Sequence, residues 1–407
     1  MKKTVIALCA SLLVNLINPA GLKAWGWTEL VVSNGKKQAE MIQAEQTGER
    51  DSLSVQVQAP CAVLMEASTG QTIYEKNADE RRSPASITKI MTLILIFDAI
   101  DAGKIRLSDE VVTSAHAKSM GGSQVFLEEG ETQTVETLIK CIVIASGNDA
   151  SVAMAEYISG TEEAFVQQMN KRAEGLGMTG THFVDCCGLT ESPEHLTTAR
   201  DIAIMSRQLL GHDRIREYTT IWMDTIRDGA FGLSNTNKLV RFYSGTTGLK
   251  TGFTSSAGYC MSATAERDGM ELIAAVMHCE SSTDRFESAK ALLDYGFAAY
   301  TLVSPLGDEA ISPVPVTLGT EETVTAVPQN DAPVLLAKES AAAVERTVQL
   351  APKVSAPVEQ GQVLGSVTLK TGDSVLAEVP LVAERGVKKL TWGQIMLRMM
   401  AALWMAE

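Results

Sequence analysis

The sequence lacks the patterns that metal and dithiol chemistry require. No Cys-x-x-Cys occurs, and the five histidines show no metal-ligand spacing. Neither zinc nor a redox pair is therefore supported, and no cofactor is expected. His182 and His195 read as ordinary loop or surface residues. Positive charge is also in deficit, with a formal net charge of −14 over 407 residues. Nucleic acid is a poor partner for so acidic a chain. No apolar run is comfortable as a membrane span. What remains is a globular composition, 45% hydrophobic and 21% charged, in a chain long enough for two or three domains and a substantial core.

The chain begins Met1-Lys2-Lys3, continues with an apolar run from Val5 to Ile17, and reaches the small residues Ala20 and Ala24. A basic start, a short apolar run and small residues beyond it describe a secretory signal peptide over 1–24. Export follows. Cys9 lies in that segment, leaving Cys61, Cys141, Cys186, Cys187, Cys260 and Cys279. An even number outside the cell permits disulfides, but no pairing is favoured among the many possible.

Residues 25–58 are polar and read as a flexible lead-in. Over 59–304 the pattern is α+β, with an antiparallel sheet covered by helices. Cys61–Met65 and Gln71–Tyr74 flank Ser68-Thr69-Gly70 as a hairpin. Helical patterns then dominate, notably Val135–Ile144, Ala150–Ile158 and Thr198–Leu210. Strand-like alternation returns at Leu249–Thr264 and Glu271–Met277, followed by a helix over Asp284–Tyr295. Residues 305–387 form a small all-β domain of short strands, in which Val314, Val316 and Leu318 alternate. Residues 388–407 read as an amphipathic helix. Thr391, Gln394 and Arg398 make one polar stripe and Trp392, Met396, Leu397, Met399 and Met400 lie around it. Such a helix suits the bilayer interface, with Lys388 and Lys389 near anionic head groups.

Three stretches carry chemistry. In Ser83-Pro84-Ala85-Ser86-Ile87-Thr88-Lys89, Ser83 suits an N-cap and Pro84 the first helical position. Ser86 and Lys89 then share one face of a buried helix. Desolvation and the positive helix end both disfavour ammonium there, so Lys89 can take the Ser86 proton. Ser33-Asn34-Gly35-Lys36 has the same spacing, but Asn-Gly favours a turn. Ser146-Gly147-Asn148 sits at a turn between helices, offering a hydroxyl to relay a proton and an amide to bind a peptide. Lys250-Thr251-Gly252-Phe253 lies on a sheet edge, where backbone can pair with an extended substrate and glycine allows close approach. Lys370-Thr371-Gly372 repeats the tripeptide in what reads as a hairpin turn.

In this order, Ser86-x-x-Lys89, Ser146-x-Asn148 and Lys250-Thr251-Gly252 form the motif set of penicillin-binding proteins and class A β-lactamases. The chain most resembles the low-molecular-weight penicillin-binding proteins that are D-alanyl-D-alanine carboxypeptidases, over about residues 59 to 390. The flanks Pro84-Ala85, Asn235-Thr236-Asn237 and Ala356-Pro357-Val358 belong to the likeness. The resemblance implies a Ser86 acyl-enzyme formed from a peptidoglycan stem peptide, and β-lactams as covalent inhibitors. Lys89 would be the base and Ser146 the relay to the leaving D-alanine. The amides of Ser86 and Phe253 would form the oxyanion hole, Asn148 would orient the peptide, and Lys250, Thr251 and Arg285 would grip its carboxylate. It also implies the outer face of the cytoplasmic membrane as the location.

Rival readings differ in what they need. A secreted β-lactamase would need a deacylating carboxylate, and no Glu-x-x-Leu-Asn follows Ser146. A DD-endopeptidase or transpeptidase shares the same three motifs. A catalytically silent wall-binding protein would be marked by loss of Ser86 or Lys89, and both are present. Two departures from the family pattern stand out: Phe253 where some relatives carry histidine, and Asp185-Cys186-Cys187 ahead of Gly188-Leu189.

Overall fold

The computed structural model describes residues 55–307, 310–330 and 333–404. The expected signal peptide, most of the lead-in, Ser33 and Lys36, and the last three residues lie outside them. From Val55 onward the chain forms one compact unit, and Val57 already packs in a core.

Cys61–Glu66 (β1) and Thr72–Lys76 (β2) form the expected hairpin. Thr246–Thr254 (β3), Gly258–Arg267 (β4) and Met270–Cys279 (β5) complete an antiparallel sheet of order β2-β1-β5-β4-β3. The alternating stretch Leu249–Thr264 is thus two strands joined by a turn. Side chains divide by the pleat. Cys61, Val63 and Met65 enter the core beneath the helices, whereas Ala62 and Leu64 enter a second core on the other face.

The helical layer comprises Lys89–Asp101 (α1), Val135–Ile144 (α2), Asn148–Ser159 (α3), Glu162–Gly175 (α4) and Ala199–Leu210 (α5). Ser282–Ala299 (α6) packs on the opposite face through Phe286, Leu292 and Leu293. Starts follow capping chemistry: Thr134, Thr198 and Ser281 each accept an amide N–H three residues on. Every residue from Lys89 to Phe97 is buried, so α1 is the axle of the larger core.

The start of α1 differs from the sequence expectation. Ser83 is not its N-cap. Ala85–Thr88 forms a 3-10 turn capped by Pro84 with no side-chain cap bond, and the α-helix begins at Lys89. Ala85 is the cause, because its φ of +49° is incompatible with a continuous right-handed helix.

The small domain is all-β. Glu345–Leu350 (β7), Val363–Thr371 (β8) and Ser374–Ala383 (β9) form a meander, with Val314–Thr317 (β6) in a second small sheet. Alternation stops at Thr317, since Leu318 turns to φ +57° and is exposed. Lys370-Thr371-Gly372 ends β8 at its turn into β9, in a different sheet from the other Lys-Thr-Gly. Trp392–Trp404 (α7) follows. Of its polar stripe, Arg398 reaches the β domain, donating to the carbonyls of Gly319 (3.3 Å) and Thr320 (3.0 Å), whereas Thr391 and Gln394 are exposed and bond to each other. Trp392, Met396, Leu397, Met399 and Met400 are left exposed. No described helix is long and apolar enough to cross a membrane.

Candidate active site

The three motif stretches, which lie between Ser86 and Phe253 in the chain, meet at the head of α1. Ser86 sits half-buried on the 3-10 turn, and Lys89 Nζ lies 2.9 Å from its Oγ. Lys89 is fully buried. Its other two contacts are Asn148 Oδ1 at 2.6 Å and the carbonyl of Cys187 at 2.7 Å. Desolvation lowers its pKa, opposed by the more distant pull of the Cys187, Cys186, Asp185 and Asp149 side chains. A neutral amine could keep two N–H groups on Asn148 and Cys187 and turn its lone pair to the Ser86 hydroxyl.

Ser146-Gly147-Asn148 forms the turn between α2 and α3, with Ser146 at φ +61°. Asn148 bridges: its carbonyl oxygen accepts from Lys89, and its amide donates to the Gly121 carbonyl at 2.7 Å. The Ser146 hydroxyl makes no hydrogen bond among the described residues, although the residue is only 4% exposed. Asp149, buried beside it, accepts the amides of Val125 and Leu127 and so ties the 121–127 loop to this turn.

Lys250-Thr251-Gly252-Phe253 lies on β3, the edge strand that the sequence pattern indicates. Lys250 is 1% exposed, and among the described residues its ammonium has one acceptor, the Thr251 carbonyl at 3.0 Å. Burial, then repulsion by Lys89 and Arg285, depresses its pKa strongly. Thr251 Oγ1 donates to Thr236 Oγ1 at 2.7 Å, and the Thr236 amide donates to the carbonyl of Ile144, at the end of α2. The Asn235-Thr236-Asn237 flank therefore couples the edge strand to the Ser146 turn. A Cβ on Gly252 would stand 2.8 Å from the Pro84 carbonyl and 3.2 Å from Ala85 Cβ. The glycine is thus required by the Ser86 turn behind it, where the sequence had suggested room for substrate.

Phe253 is 52% exposed and stacks on Tyr259, with ring centroids 4.3 Å apart. Arg285, on α6, is buried. It donates to the carbonyls of Gly252 (3.2 Å) and Cys260 (3.4 Å) and stands over the Tyr259 ring. It fastens the peptide unit joining Gly252 to Phe253. Direct contacts thus join Ser86, Lys89 and Asn148. Gly252, on the strand of Lys250, Thr251 and Phe253, packs against the Ser86 turn and is held from behind by Arg285, and Ser146 lies two residues before Asn148.

Sequence reasoning missed several supports. His195 lies in a loop, as expected, but is not at the surface: it is 1% exposed and bonded to Thr88 and to the Val184 amide. Its signal was absent because only the fold brings residues 88 and 195 together. Asp185 collects the amides of Cys187, Gly188, Leu189 and Thr190, so the segment that departs from the family pattern builds the carbonyl platform under Lys89. All six cysteines among the described residues are free and buried. Burial raises the thiol of Cys61 to about 11 and that of Cys141 to about 12, which leaves them unreactive.

Comparison with known proteins agrees with this geometry. Residues 44–281 match the D-alanyl-D-alanine carboxypeptidase family, and 300–389 match the C-terminal domain of penicillin-binding protein 5. The chain is 44% identical over 352 residues to D-alanyl-D-alanine carboxypeptidase DacF of Bacillus subtilis, covering 85% of this chain and 90% of that protein. Penicillin-binding protein 5 of Haemophilus influenzae has a similar structure (TM-score 0.72, 30% identity, 82% of this chain and 98% of that one). Penicillin-binding protein D2 of Listeria monocytogenes, solved with ampicillin bound, aligns with TM-score 0.55 at 30% identity, over 60% of this chain and 99% of that one. With half the chain inside the family match and a buried lysine set against a serine at its centre, this protein belongs to the D-alanyl-D-alanine carboxypeptidase family.

Proposed function

We propose that this chain is a serine-type D-alanyl-D-alanine carboxypeptidase acting on peptidoglycan stem pentapeptides, with Ser86 as nucleophile. The observation that carries the reading is the 2.9 Å contact between Ser86 Oγ and the Nζ of a lysine wholly removed from water. Ser86 Oγ attacks the carbonyl between the two terminal D-alanines while its proton passes to Lys89. The amides of Ser86 and Phe253 receive the developing oxyanion, a contribution of about 3 kcal/mol per donor in comparable sites. The C–N bond breaks as the Ser146 hydroxyl gives its proton to the nitrogen of the leaving D-alanine and takes in its place the proton that Lys89 had accepted. Water, deprotonated by the same machinery, then cleaves the ester and restores Ser86. Lys250 has unfilled N–H groups for the terminal carboxylate, and Thr251 adds a hydroxyl. The amide of Asn148 aligns the peptide.

The cellular setting belongs to the same proposal. Residues 1–24 direct export, 25–58 lead in, 59–304 are catalytic, 305–387 are the β domain, and 388–407 hold the enzyme on the outer face of the cytoplasmic membrane. Support for the anchor comes from α7, which spends Arg398 on the β domain and exposes Trp392 and four other large apolar residues. β-Lactams acylate Ser86 as substrate mimics, in keeping with the ampicillin held by the Listeria relative.

The test is labelling with a fluorescent penicillin followed by mass spectrometry of the labelled peptide, with Ser86 as the expected site. Incubation with a stem pentapeptide should release D-alanine and leave the free tetrapeptide. An amine-linked product instead would identify a transpeptidase, and label on another residue would overturn the site.

A further inference from the structure

Behind the reactive serine lies a chain of hydrogen bonds whose donor directions can be assigned. The Val184 amide donates to His195 Nδ1 at 2.9 Å, so that nitrogen is an acceptor. Thr88 Oγ1 donates to the Ala85 carbonyl at 2.8 Å, so its hydrogen is committed. The remaining contact, His195 Nε2 to Thr88 Oγ1 at 2.8 Å, then has the imidazole N–H as donor. Thr88 and His195 are both buried. The chain ends on Ala85, whose φ of +49° is a strained state for a residue with a Cβ. Ala85 immediately precedes Ser86. Its carbonyl is closed in from the other side by Gly188, where a Cβ would lie 1.8 Å from that oxygen.

We propose that His195 is a positioning residue for the reaction: acting through Thr88, it holds the Ala85 peptide in its left-handed state and so aims Ser86 Oγ and the Ser86 amide. It touches neither substrate nor Ser86. Its neutral Nε2–H tautomer, set by the Val184 amide, gives this short relay its direction. The inference rests on Ser86 being the nucleophile.

Two substitutions separate positioning from plain structure. In His195→Asn the side-chain oxygen can still accept from Val184 but nothing reaches Thr88. In His195→Gln the amide nitrogen can reach the Nε2 position and still donate to Thr88. Stopped-flow acylation by a fluorescent penicillin, resolved into non-covalent Kd and acylation rate constant, is measured beside thermal melting. Expected is a fall of about tenfold or more in the rate constant for His195→Asn, the scale of one lost hydrogen bond, at unchanged Kd. His195→Gln should restore the rate to within about threefold. Thr88→Val keeps the His195–Val184 bond and should reproduce the fall, which covers the case of an unstable Asn variant. Equal rates in wild type and Thr88→Val, or in folded His195→Asn, would overturn the inference alone. Failure of the wild-type protein to label at Ser86 would overturn the functional reading and this inference with it.

Discussion

Lys89 Nζ stands 2.9 Å from Ser86 Oγ and 2.6 Å from Asn148 Oδ1, so one buried amine joins the first motif to the second. Its removal should therefore do two things. Lys89→Met deletes the base, and it leaves Asn148 Oδ1 and the Cys187 carbonyl without their donor. Acylation should fall by about 10²–10⁴, the range for a general base, with a stability loss of about 1–3 kcal/mol from the unpaired acceptors. Ser86→Ala should abolish labelling with little change in melting temperature. A Lys89→Met protein that acylates at the wild-type rate would remove Lys89 from the mechanism.

The same burial sets the pH dependence. Desolvation holds the folded-state pKa of Lys89 below the ordinary lysine value, and that of Lys250 further below it. Acylation needs neutral Lys89, so the rate should rise with pH through this depressed pKa and level off before about 10.4, where an unperturbed lysine titrates. The stability effect has the same sign. Between the folded and unfolded pKa values the unfolded chain binds more protons, so stability from these lysines rises with pH across that window. Below the folded value the full penalty of a buried charge is present. Acylation rates and urea midpoints over the same pH series measure both, and a rate limb centred on the unperturbed lysine value would refute the assignment.

Gly252 offers a geometric test. An added methyl must find room against Pro84 O, Ala85 Cβ and Ile87 Cγ1, all within 3.2 Å of the Cβ position. Gly252→Ala should push the 3-10 turn away from β3, costing about 1–3 kcal/mol, as overpacking does. Acylation should slow because the Ser86 and Phe253 amides separate. Parallel melting and penicillin-labelling rates check this; a variant that keeps both would show that the turn yields without cost.

Strands, helices and the three motifs were legible because each is encoded locally. Val135–Ile144 and Thr198–Leu210 carry helical spacing, and the structure has helices over Val135–Ile144 and Ala199–Leu210. Ser86 and Lys89 are three apart, and a 3-10 turn leading into a helix still brings them together. The supports were not legible because they join distant residues: Thr88 to His195, Thr251 to Thr236, Asp149 to Val125 and Leu127. Ser83 misled as a cap because capping rules assume a regular first turn, which the left-handed Ala85 interrupts. Gly252 was read for what might enter the cleft, whereas the crowding lies behind the strand.

Asp185 is the post under the carbonyl platform. Its two oxygens accept four backbone amides between Cys187 and Thr190, and the Cys187 carbonyl in turn accepts from Lys89. Asp185→Ala should cost about 2–3 kcal/mol or more, the scale of charge-assisted bonds lost with their amides half-buried. Acylation should drop with it, since the carbonyl that orients Lys89 is no longer fixed. Chemical denaturation and labelling kinetics provide the measurement. A stable Asp185→Ala protein with a slow rate would still fit, whereas a destabilised one acylating normally would separate this loop from catalysis.

The terminal helix makes a prediction that leaves the chemistry alone. Arg398 is bonded to Gly319 and Thr320, which turns Met396, Leu397, Met399 and Met400 outward. Each large apolar side chain buried in a bilayer interface is worth about 1.5–3 kcal/mol at full burial, and the neighbouring Lys388 and Lys389 add about 1 kcal/mol each on an anionic surface. Leu397→Asp with Met400→Asp should thus abolish sedimentation with anionic vesicles, while pentapeptide cleavage in solution stays at the wild-type rate. Arg398→Ala should act differently, loosening the helix from the β domain while its apolar side persists, so vesicle binding should survive. If the double aspartate protein still sediments with vesicles, the exposed face of α7 is not what meets the membrane.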